Sequence, residues 1–217
     1  MADVKRTRRY ESPSRDELAR RNREAVIDAA ERQFLARGYV ATSVASVAKE
    51  AGVSVQTIYK VFGGKSGLVR AIYDRGLLGR RRDPAYDRSD EMRERETDPR
   101  KIMREWGALT TEVASIVSPI RLLMRAAALT DPEVARLLTE TEAERLTRMR
   151  HHARFLKDRG YLRKGVTVDE ATDVLWVCSS VEIFDLLVVQ RRWSLPRFSR
   201  FVSDFMIENL LTPDRGR

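Results

Sequence analysis

Residues 49–65 read KEAGVSVQTIYKVFGGK, and this stretch decides the fold that the sequence predicts. Residues 51–54 (AGVS) have the composition of a tight turn, since glycine accepts a positive φ and Ser54 is a good helix N-cap. Ile58 and Phe62 follow at i and i+4, which puts both on one face of a short helix. A short helix, a turn and a second, half-polar helix together predict a helix-turn-helix.

The second helix of this pair has the composition of a DNA-reading element. A recognition helix presents its first residues to base edges in the major groove. Gln56 can form a bidentate pair with adenine, and Val55 or Thr57 can contact a thymine methyl group. Tyr59 and Lys60 can contact phosphates. By itself the pattern fits two structures, a DNA-binding helix pair and a plain helical hairpin with the same caps.

The whole sequence predicts an all-α protein of about nine helices. The 217 residues fit one or two compact domains, and neither a strand pattern nor an internal repeat appears. Apolar periodicity and capping residues predict helices over about residues 16–37, 100–117, 118–128, 130–159 and 168–192. Ser194 caps the last helix. Residues 79–99 are densely charged with almost nothing to bury, so they are interpreted as the solvated end of the fourth helix or a mobile connection.

Net charge points to a polyanionic partner without proving one. The chain carries +9, and residues 1–70 hold 14 basic and 8 acidic residues, 14 − 8 = +6 of that total. A basic region attracts nucleic acid or anionic lipid. A charge that only keeps the protein soluble fits equally well.

The sequence predicts a cytoplasmic protein without a membrane partner. No run of about 18 apolar residues exists, and the basic N-terminus lacks the apolar core of a secretory signal. The single cysteine, Cys178, excludes an internal disulfide.

Residues 25–72, AVIDAAERQFLARGYVATSVASVAKEAGVSVQTIYKVFGGKSGLVRAI, resemble the N-terminal domain of the TetR family of bacterial transcriptional regulators. The agreement runs without a gap from Phe34 through the AGVS turn to Leu68. The resemblance implies a homodimer of subunits with a three-helix DNA-binding domain and a helical ligand domain, which reads a palindromic operator in double-stranded DNA. The residues that it implies contact DNA are Thr42, Ser43, Ser54, Val55, Gln56, Thr57, Tyr59, Lys60 and Lys65.

The predicted domain organisation has three parts. Residues 1–15 are a disordered basic arm, which either enters a minor groove or attracts DNA without specificity. Residues 16–65 form the DNA-binding domain, with the helix-turn-helix at about 43–62, and residues 66–217 form the ligand-binding and dimerisation domain. Gly63-Gly64 departs from the family's stiffer linker, and it is interpreted as a soft joint between the two.

The last helices carry the predicted dimer interface. LWVCSSVEIFDLLVVQ is apolar on nearly every face, so it needs two packing partners. A monomer with a thick core is the alternative. The interface residues predicted are Val181, Phe184, Asp185, Val188, Phe198, Phe201, Val202 and Phe205. Glu182 and Asp185 pair with arginines across the dimer, cap a pocket for a cationic ligand, or lie on the surface.

An effector pocket is predicted among the middle helices, since methionine and aromatic residues suit an adaptable apolar site. Its predicted residues are Met103, Trp106, Met124, Met149, Phe155, Trp176 and Glu182. The effector is expected to be apolar or amphipathic. Adjacent His151 and His152 point about 100° apart, so no metal site is expected, and no cofactor or catalytic motif appears.

The sequence therefore predicts a TetR-like repressor, not an enzyme, that a small-molecule effector releases from its operator. A DNA-binding regulator without a small-molecule ligand is the first alternative. An enzyme with a DNA-binding appendage is the second, and it lacks a polar catalytic cluster.

Overall fold

Helices make up nearly all of the described residues, 15–79 and 83–213, in this computed structural model. In chain order they are α1 (Arg15–Ala41), α2 (Val44–Ala51), α3 (Val55–Phe62), α4 (Lys65–Leu78), α5 (Ala85–Arg95), α6 (Pro99–Ala127), α7 (Pro132–Asp158), α8 (Val168–Cys178), α9 (Val181–Phe184) with a π-helical turn directly after it (Asp185–Gln190), and α10 (Leu195–Leu210). Within these ranges the only isolated β-bridge joins Leu162 and Leu211. The predicted all-α class is confirmed. The predicted N-terminal arm, except for Arg15, lies outside the described residues.

A first apolar core joins the helix-turn-helix region to the helices that follow it. Phe34 of α1, Ile58 of α3 and Leu68 of α4 are fully buried in it. Met124 of α6 and Val134 of α7 belong to the same core. The DNA-reading helices are therefore held against the end of α6 and the start of α7 by burial of apolar surface, the main driving force of folding.

A second core holds the C-terminal helices together. Trp106 of α6, Leu156 of α7, Leu175 of α8 and Phe198 of α10 are buried in it. The predicted division at residues 65 and 66 stays a prediction, since α4 follows that point and packs in the first core.

The charged stretch at residues 79–99 contains a folded helix, and its interpretation as a solvated segment is wrong. Within α5, Arg88 and Ser89 are buried. Arg88 donates to the carboxylate of Glu112 over 2.9 Å, and Trp106 Nε1 donates to the Ser89 carbonyl over 3.1 Å. The segment is attached by ion pairs and hydrogen bonds, which apolar periodicity does not detect.

Helix α6 runs through Pro119, where the sequence predicts two separate helices. A proline inside a helix removes one hydrogen bond and costs about 3 kcal/mol. Val117, Ile120 and Arg121 flank it and are all buried. Packing of these side chains on neighbouring helices compensates the lost hydrogen bond, so the helix continues.

The helix predicted over about 168–192 is interrupted after Cys178. Ser179 ends α8, and Ser180 is the N-cap of α9, with its side chain accepting from Ile183 N at 3.4 Å. Serine favours helix ends because its hydroxyl competes for backbone groups. Ser179 Oγ uses this ability as well, since it bonds to the Trp176 carbonyl over 3.1 Å.

Candidate functional sites: an exposed helix face and a buried cavity

The turn between α2 and α3 has the geometry that the sequence predicts. Gly52 adopts a left-handed conformation with φ 68° and ends α2. The Val53 N–H donates to the Ala48 carbonyl over 3.0 Å, which folds the chain back on α2. Ser54 caps α3, since its hydroxyl accepts from Thr57 N at 3.1 Å. This turn sets the angle between the two helices.

Helix α3 is buried on one face and open on the other. Ile58 is fully buried, whereas Gln56 and Lys60 are exposed. Val55 is 39% exposed and Tyr59 is 56% exposed. The open face thus offers an amide, an ammonium, an aromatic ring and an apolar group, which are the groups that read base edges and contact phosphates.

Three of the other predicted DNA contacts lie beside this face. Ser43 and Ser54 are exposed N-caps of α2 and α3. Thr57 is half-buried, and its hydroxyl lies 2.8 Å from that of Ser54. Each of these hydroxyls stands at a helix N-terminus, where phosphate is favoured.

Thr42 is unsuited to the phosphate contact predicted for it. Its side chain is buried, and its hydroxyl donates to the Gly38 carbonyl over 2.9 Å. The backbone departs from helical geometry at Gly38, with φ 79°, and Thr42 closes the last turn of α1. The residue therefore fixes the connection from α1 to α2.

Gln33 braces α2 against α1, a role that the sequence did not reveal. The Ser46 hydroxyl donates to Gln33 Oε1 over 2.6 Å, and Gln33 Nε2 donates to the Ser46 carbonyl over 3.2 Å. The side chain is buried. A buried amide with both of its polar ends satisfied fixes the position of α2, because breaking either bond would leave a polar group unpaired.

Lys65 belongs to a small cluster that joins α1, α4 and α7. Its ammonium lies 4.0 Å from the ring centre of Tyr39, and the Tyr39 hydroxyl donates to Asp131 Oδ2 over 2.6 Å. Burial lowers the pKa of Lys65, and the hydrogen bond from Tyr39 lowers the pKa of Asp131. Asp131 is the N-cap of α7. The start of α4 is thereby tied to the start of α7.

A cavity of about 110 Å³ lies farther along α4, enclosed by α4 to α10. Trp106 and Met149 line it, as do Tyr73 of α4, Tyr86 of α5 and Met206 of α10. The volume approaches the roughly 150 Å³ of cavities that accept benzene. The space therefore suits a small organic molecule.

Five of the seven predicted pocket residues do not line this cavity. Met103 and Met124 are fully buried in the two cores. Phe155 packs edge-on against Trp106 but does not itself line the cavity. Trp176 lies under the Arg145 guanidinium, with 4.7 Å between that group and the ring centre. Glu182 pairs with Arg125 outside the lining.

Charged residues line the cavity, and the sequence analysis missed them. Arg121, Arg145 and Arg148 all contribute to its wall. Arg121 Nη1 donates to the Thr141 hydroxyl over 3.0 Å. Thr141, Arg145, Arg148 and His152 follow one another at helical spacing along α7. That polar stripe within an amphipathic helix was the available signal, although its spacing also fits a solvated face.

Cys178 also lines the cavity, and burial raises the pKa of its thiol to about 12. With that pKa roughly one thiol in ten thousand is ionised at pH 8, against about a quarter for an ordinary cysteine. Reaction with Ellman's reagent at pH 8 is therefore expected to be at least about 100-fold slower in the native protein than in urea. Glutathione in the same two buffers controls for the effect of urea. Equal rates for native and unfolded protein would contradict the buried position.

The predicted dimer residues divide into two groups. Phe201 and Phe205 of α10 are 39% and 36% exposed. Asp185 and Val188 of the π-helical turn are half-buried. Exposed Leu186, Val189 and Leu195 belong to the same turn and to the start of α10. These elements leave large apolar side chains in contact with solvent, which marks a surface for association.

Four other residues of the predicted interface are buried within the chain itself. They are Val181, Phe184, Phe198 and Val202. Phe184 and Phe198 meet edge to face with 5.2 Å between ring centres. Their apolar character serves the second core and the cavity wall, so they are unavailable to a partner subunit in this conformation.

Glu182 and Asp185 have partners within the subunit. Arg125 of α6 pairs with Glu182, and Gln190 Nε2 donates to Asp185 Oδ2 over 2.7 Å. Glu182 does not line the cavity, so its role as the cap of a pocket stays a prediction without support from this arrangement.

The described residues contain neither a membrane-spanning helix nor a cluster of metal ligands. None of the helices there is long and apolar enough to cross a membrane. The same part of the chain contains no group of three or more His, Cys, Asp or Glu side chains arranged to hold a metal ion.

The segment that contains the exposed helix α3 matches known DNA-binding regulators. Residues 26–72 match the family model for bacterial regulatory proteins, tetR family. A curated relative, the HTH-type transcriptional repressor ComR of Escherichia coli (strain K12), is 41% identical over 54 residues. Those residues are 25% of this chain and 26% of ComR, so the match spans about a quarter of that relative's length.

Solved structures resemble the chain over most of its length. The SmeT-triclosan complex covers 89% of this chain and 93% of its own, with 20% identity and a TM-score of 0.68. SmeT is the repressor of the Stenotrophomonas maltophilia multidrug efflux pump SmeDEF. The fatty acid degradation regulator FadR from Bacillus halodurans covers 85% and 97%, with 19% identity and a TM-score of 0.69. At these identities the likeness establishes the fold.

Proposed function

We propose that this chain, which belongs to the tetR family of bacterial regulatory proteins through residues 26–72, is an effector-released transcriptional repressor. It acts in the bacterial cytoplasm, where two copies bind a palindromic operator. A small molecule that enters the cavity then favours a state whose recognition helices no longer fit the operator. The exposed face of α3 carries the proposal, because it presents Gln56, Tyr59 and Lys60 on a helix fixed by a buried core.

DNA recognition by α3 has a direct test in two substitutions. Gln56→Ala is expected to relax the preference for one base pair, since an amide that reads adenine contributes about 1–3 kcal/mol of discrimination. Lys60→Ala is expected to weaken binding to all sequences and to reduce the salt slope by about one. Binding is measured on the chain's own promoter region, by footprinting and then by titration at several salt concentrations.

Lys164 offers a matched control for charge. It is exposed in the segment after α7, and the 27 residues of α7 separate it from Asp131 by roughly 40 Å at 1.5 Å per residue. Lys164→Ala should leave affinity and salt slope unchanged. If Lys60→Ala and Lys164→Ala behave alike, and Gln56→Ala keeps its base preference, α3 is not the reading helix.

Helix α4 supports the proposed link between effector and operator. Lys65 at its first turn contacts Tyr39, and Tyr73 and Leu77 farther along line the cavity. The distance from Lys65 to Leu77 along the helix is about 18 Å. A molecule that displaces the cavity end of α4 therefore also displaces the end that holds the recognition helix.

The α6–α7 turn provides a second connection to the DNA-binding helices. Tyr39 donates to Asp131, and the Ser66 hydroxyl donates to Glu133 Oε2 over 2.7 Å. Arg145 and Arg148 on the same α7 line the cavity. Both contacts stabilise one arrangement of the DNA-binding helices relative to α7. An effector that binds a different arrangement more tightly would shift the population away from this one. The SmeT-triclosan complex is a precedent within the same fold for a bound small molecule.

Repressor function and effector release are tested together on the promoter fragment. A footprint of two half-sites one helical turn apart, or a multiple of that, is the result expected for a dimer. A compound that raises the melting temperature should also displace the protein from this fragment. A footprint without release by any stabilising compound would favour a regulator that lacks a small-molecule ligand. The absence of any footprint would contradict the proposed function.

A further inference from the structure

The side chains that line the cavity carry charge of only one sign. Arg121, Arg145 and Arg148 reach its wall, and the lining within the described residues includes no carboxylate. The remaining wall is largely apolar, with Leu109, Val113 and Met206 among its residues. Such a site combines a largely apolar lining with cationic side chains.

Two carboxylates behind the wall offset only part of this charge. Glu142 pairs with both Arg121 and Arg145, the latter over 2.8 Å, and Asp90 pairs with Arg148. Three guanidinium groups against two carboxylates leave 3 − 2 = +1 at the wall. Glu142 also lies 3.5 Å from Arg125, and Asp90 lies 3.0 Å from Arg93. The net charge of these groups at the cavity wall is therefore positive.

Two buried nitrogen atoms of α7 lack a partner among the described residues. Arg148 Nε and His152 Nδ1 form no hydrogen bond there, and both residues line the cavity. Arg148 uses its Nη2 atom to bond to Tyr86 O and Ser89 Oγ, each over 2.6 Å, which fixes the guanidinium plane. The two residues are four apart, so they lie on one face of α7.

The unpaired Nε–H of Arg148 favours an occupant with a hydrogen-bond acceptor, whereas the neutral His152 ring donates or accepts at Nδ1 according to its tautomer. A buried donor without a partner loses free energy that a ligand acceptor restores, and a bond to a charged group is the stronger kind. An ammonium ligand would meet a net positive charge at the wall, and a neutral apolar ligand would leave the Arg148 donor without a partner. Burial and the neighbouring arginines keep the pKa of His152 well below its ordinary value, so this imidazole is neutral.

We propose that the cavity takes a small amphipathic anion, with a carboxylate against Arg148 and an apolar body of about one aromatic ring. The proposal rests on the function given above and specifies its effector. The carboxylate accepts from Arg148 Nε in the geometry that suits a guanidinium. The ring lies among Leu109, Val113 and Trp106, and a body of one ring suits the cavity volume of about 110 Å³.

Three compounds with one carbon skeleton test the charge preference. Calorimetry compares 3-phenylpropanoate, 3-phenylpropan-1-ol and 3-phenylpropylamine on the full chain without DNA. The acid is expected to bind about ten- to a hundred-fold more tightly than the alcohol, and the amine should not bind. If the alcohol or the amine binds within threefold of the acid, or if none of the three binds at 5 mM, the proposal is overturned.

Arg148→Gln separates the proposed head-group contact from the apolar contacts. It should reduce the acid's affinity at least tenfold and leave that of the alcohol within threefold, which also shows that the variant is folded. Arg93→Gln is the matched control, since Arg93 pairs with the same Asp90 but does not line the cavity. Equal losses in both variants, or an unchanged acid affinity in Arg148→Gln, would contradict the assignment.

The operator fragment distinguishes the two proposals. Tight binding of the acid without release of DNA would leave the anion site in place and contradict effector release. Release by the alcohol or the amine, with no preference for the acid, would contradict the anion site and leave effector release in place.

Discussion

Replacing Gly67 with alanine is expected to abolish operator binding and to destabilise the protein by more than the roughly 3 kcal/mol of ordinary overpacking. A Cβ atom at this position would lie 1.6 Å from the Phe62 carbonyl oxygen and 2.7 Å from its carbon. These are backbone atoms at the end of the recognition helix, so no side-chain rotation relieves the clash. Either α3 moves away from α4 or the first core opens. Urea unfolding and titration of the promoter fragment measure the two effects.

Gly63→Ala is the control for this substitution. Gly63 has φ 79°, and a Cβ there would meet nothing within 4 Å. The left-handed conformation alone costs an alanine about 1–2 kcal/mol, so a smaller loss with retained DNA binding is expected. An unfolding midpoint for Gly67→Ala equal to that of the unaltered chain would refute the close approach of α3 and α4. The softness predicted for the Gly63-Gly64 joint stays a prediction.

Replacing Phe201 with glutamate is expected to convert the proposed dimer to monomers and to lower operator affinity at least about 100-fold. Phe201 is among the exposed apolar side chains of α10, and its ring packs edge to face on Trp193, with 5.6 Å between ring centres. A carboxylate buried in the proposed apolar interface would be left without a partner. Two linked half-site contacts gain 10²–10⁴ in affinity over one, and the monomer loses this gain. Light scattering coupled to gel filtration measures the mass.

Leu129 supplies the matched control for an added charge. It is 86% exposed in the α6–α7 connection, outside α10 and the π-helical turn. Leu129→Glu should keep both the dimer mass and the operator affinity. A Phe201→Glu protein that remains dimeric would show that the association surface lies elsewhere. A monomer with undiminished affinity would contradict two-site recognition.

Capping residues and apolar spacing predicted the helices of the DNA-binding domain, because the ends of these helices are set by residues close in sequence. Ser43 and Ser54 cap their helices, Gly52 adopts the positive φ of the turn, and Ile58 is buried as its spacing indicates. Asp98, Asp131 and Thr167 begin later helices for the same local reason. Caps are visible in sequence because their hydrogen bonds span two or three residues.

The errors arise where distant contacts override local preference. Pro119 continues α6 because neighbouring helices bury the residues around it, and the charged α5 is held by Glu112 and Arg148. Thr42 was predicted to contact DNA, but its hydroxyl donates to the Gly38 carbonyl within the chain. Neither packing between helices nor the choice of a hydrogen-bond partner is encoded in the spacing of one segment.

An effector pocket was predicted among the middle helices, and only Trp106 and Met149 of its seven residues line the cavity found there. Methionine and aromatic character cannot separate a core from a pocket, and Met103 and Met124 are core. The arginines of α7 reach the cavity only because Glu142, the Trp176 carbonyl and Asp90 hold them there. Buried arginines are rare, so the spacing of Arg145 and Arg148 along α7 fits a solvated face as well as a cavity wall.

The shared first core limits how this regulator can be re-engineered. Residues of α6 and α7 such as Met124 and Val134 complete the packing around the helix-turn-helix. A DNA-reading segment cut after α3 and grafted onto a foreign sensor domain would lose those apolar contacts along with the Tyr39–Asp131 hydrogen bond. A working chimera must therefore transplant α4, the last turns of α6 and the first turn of α7 together with the reader, so its minimal exchangeable unit is discontinuous in sequence.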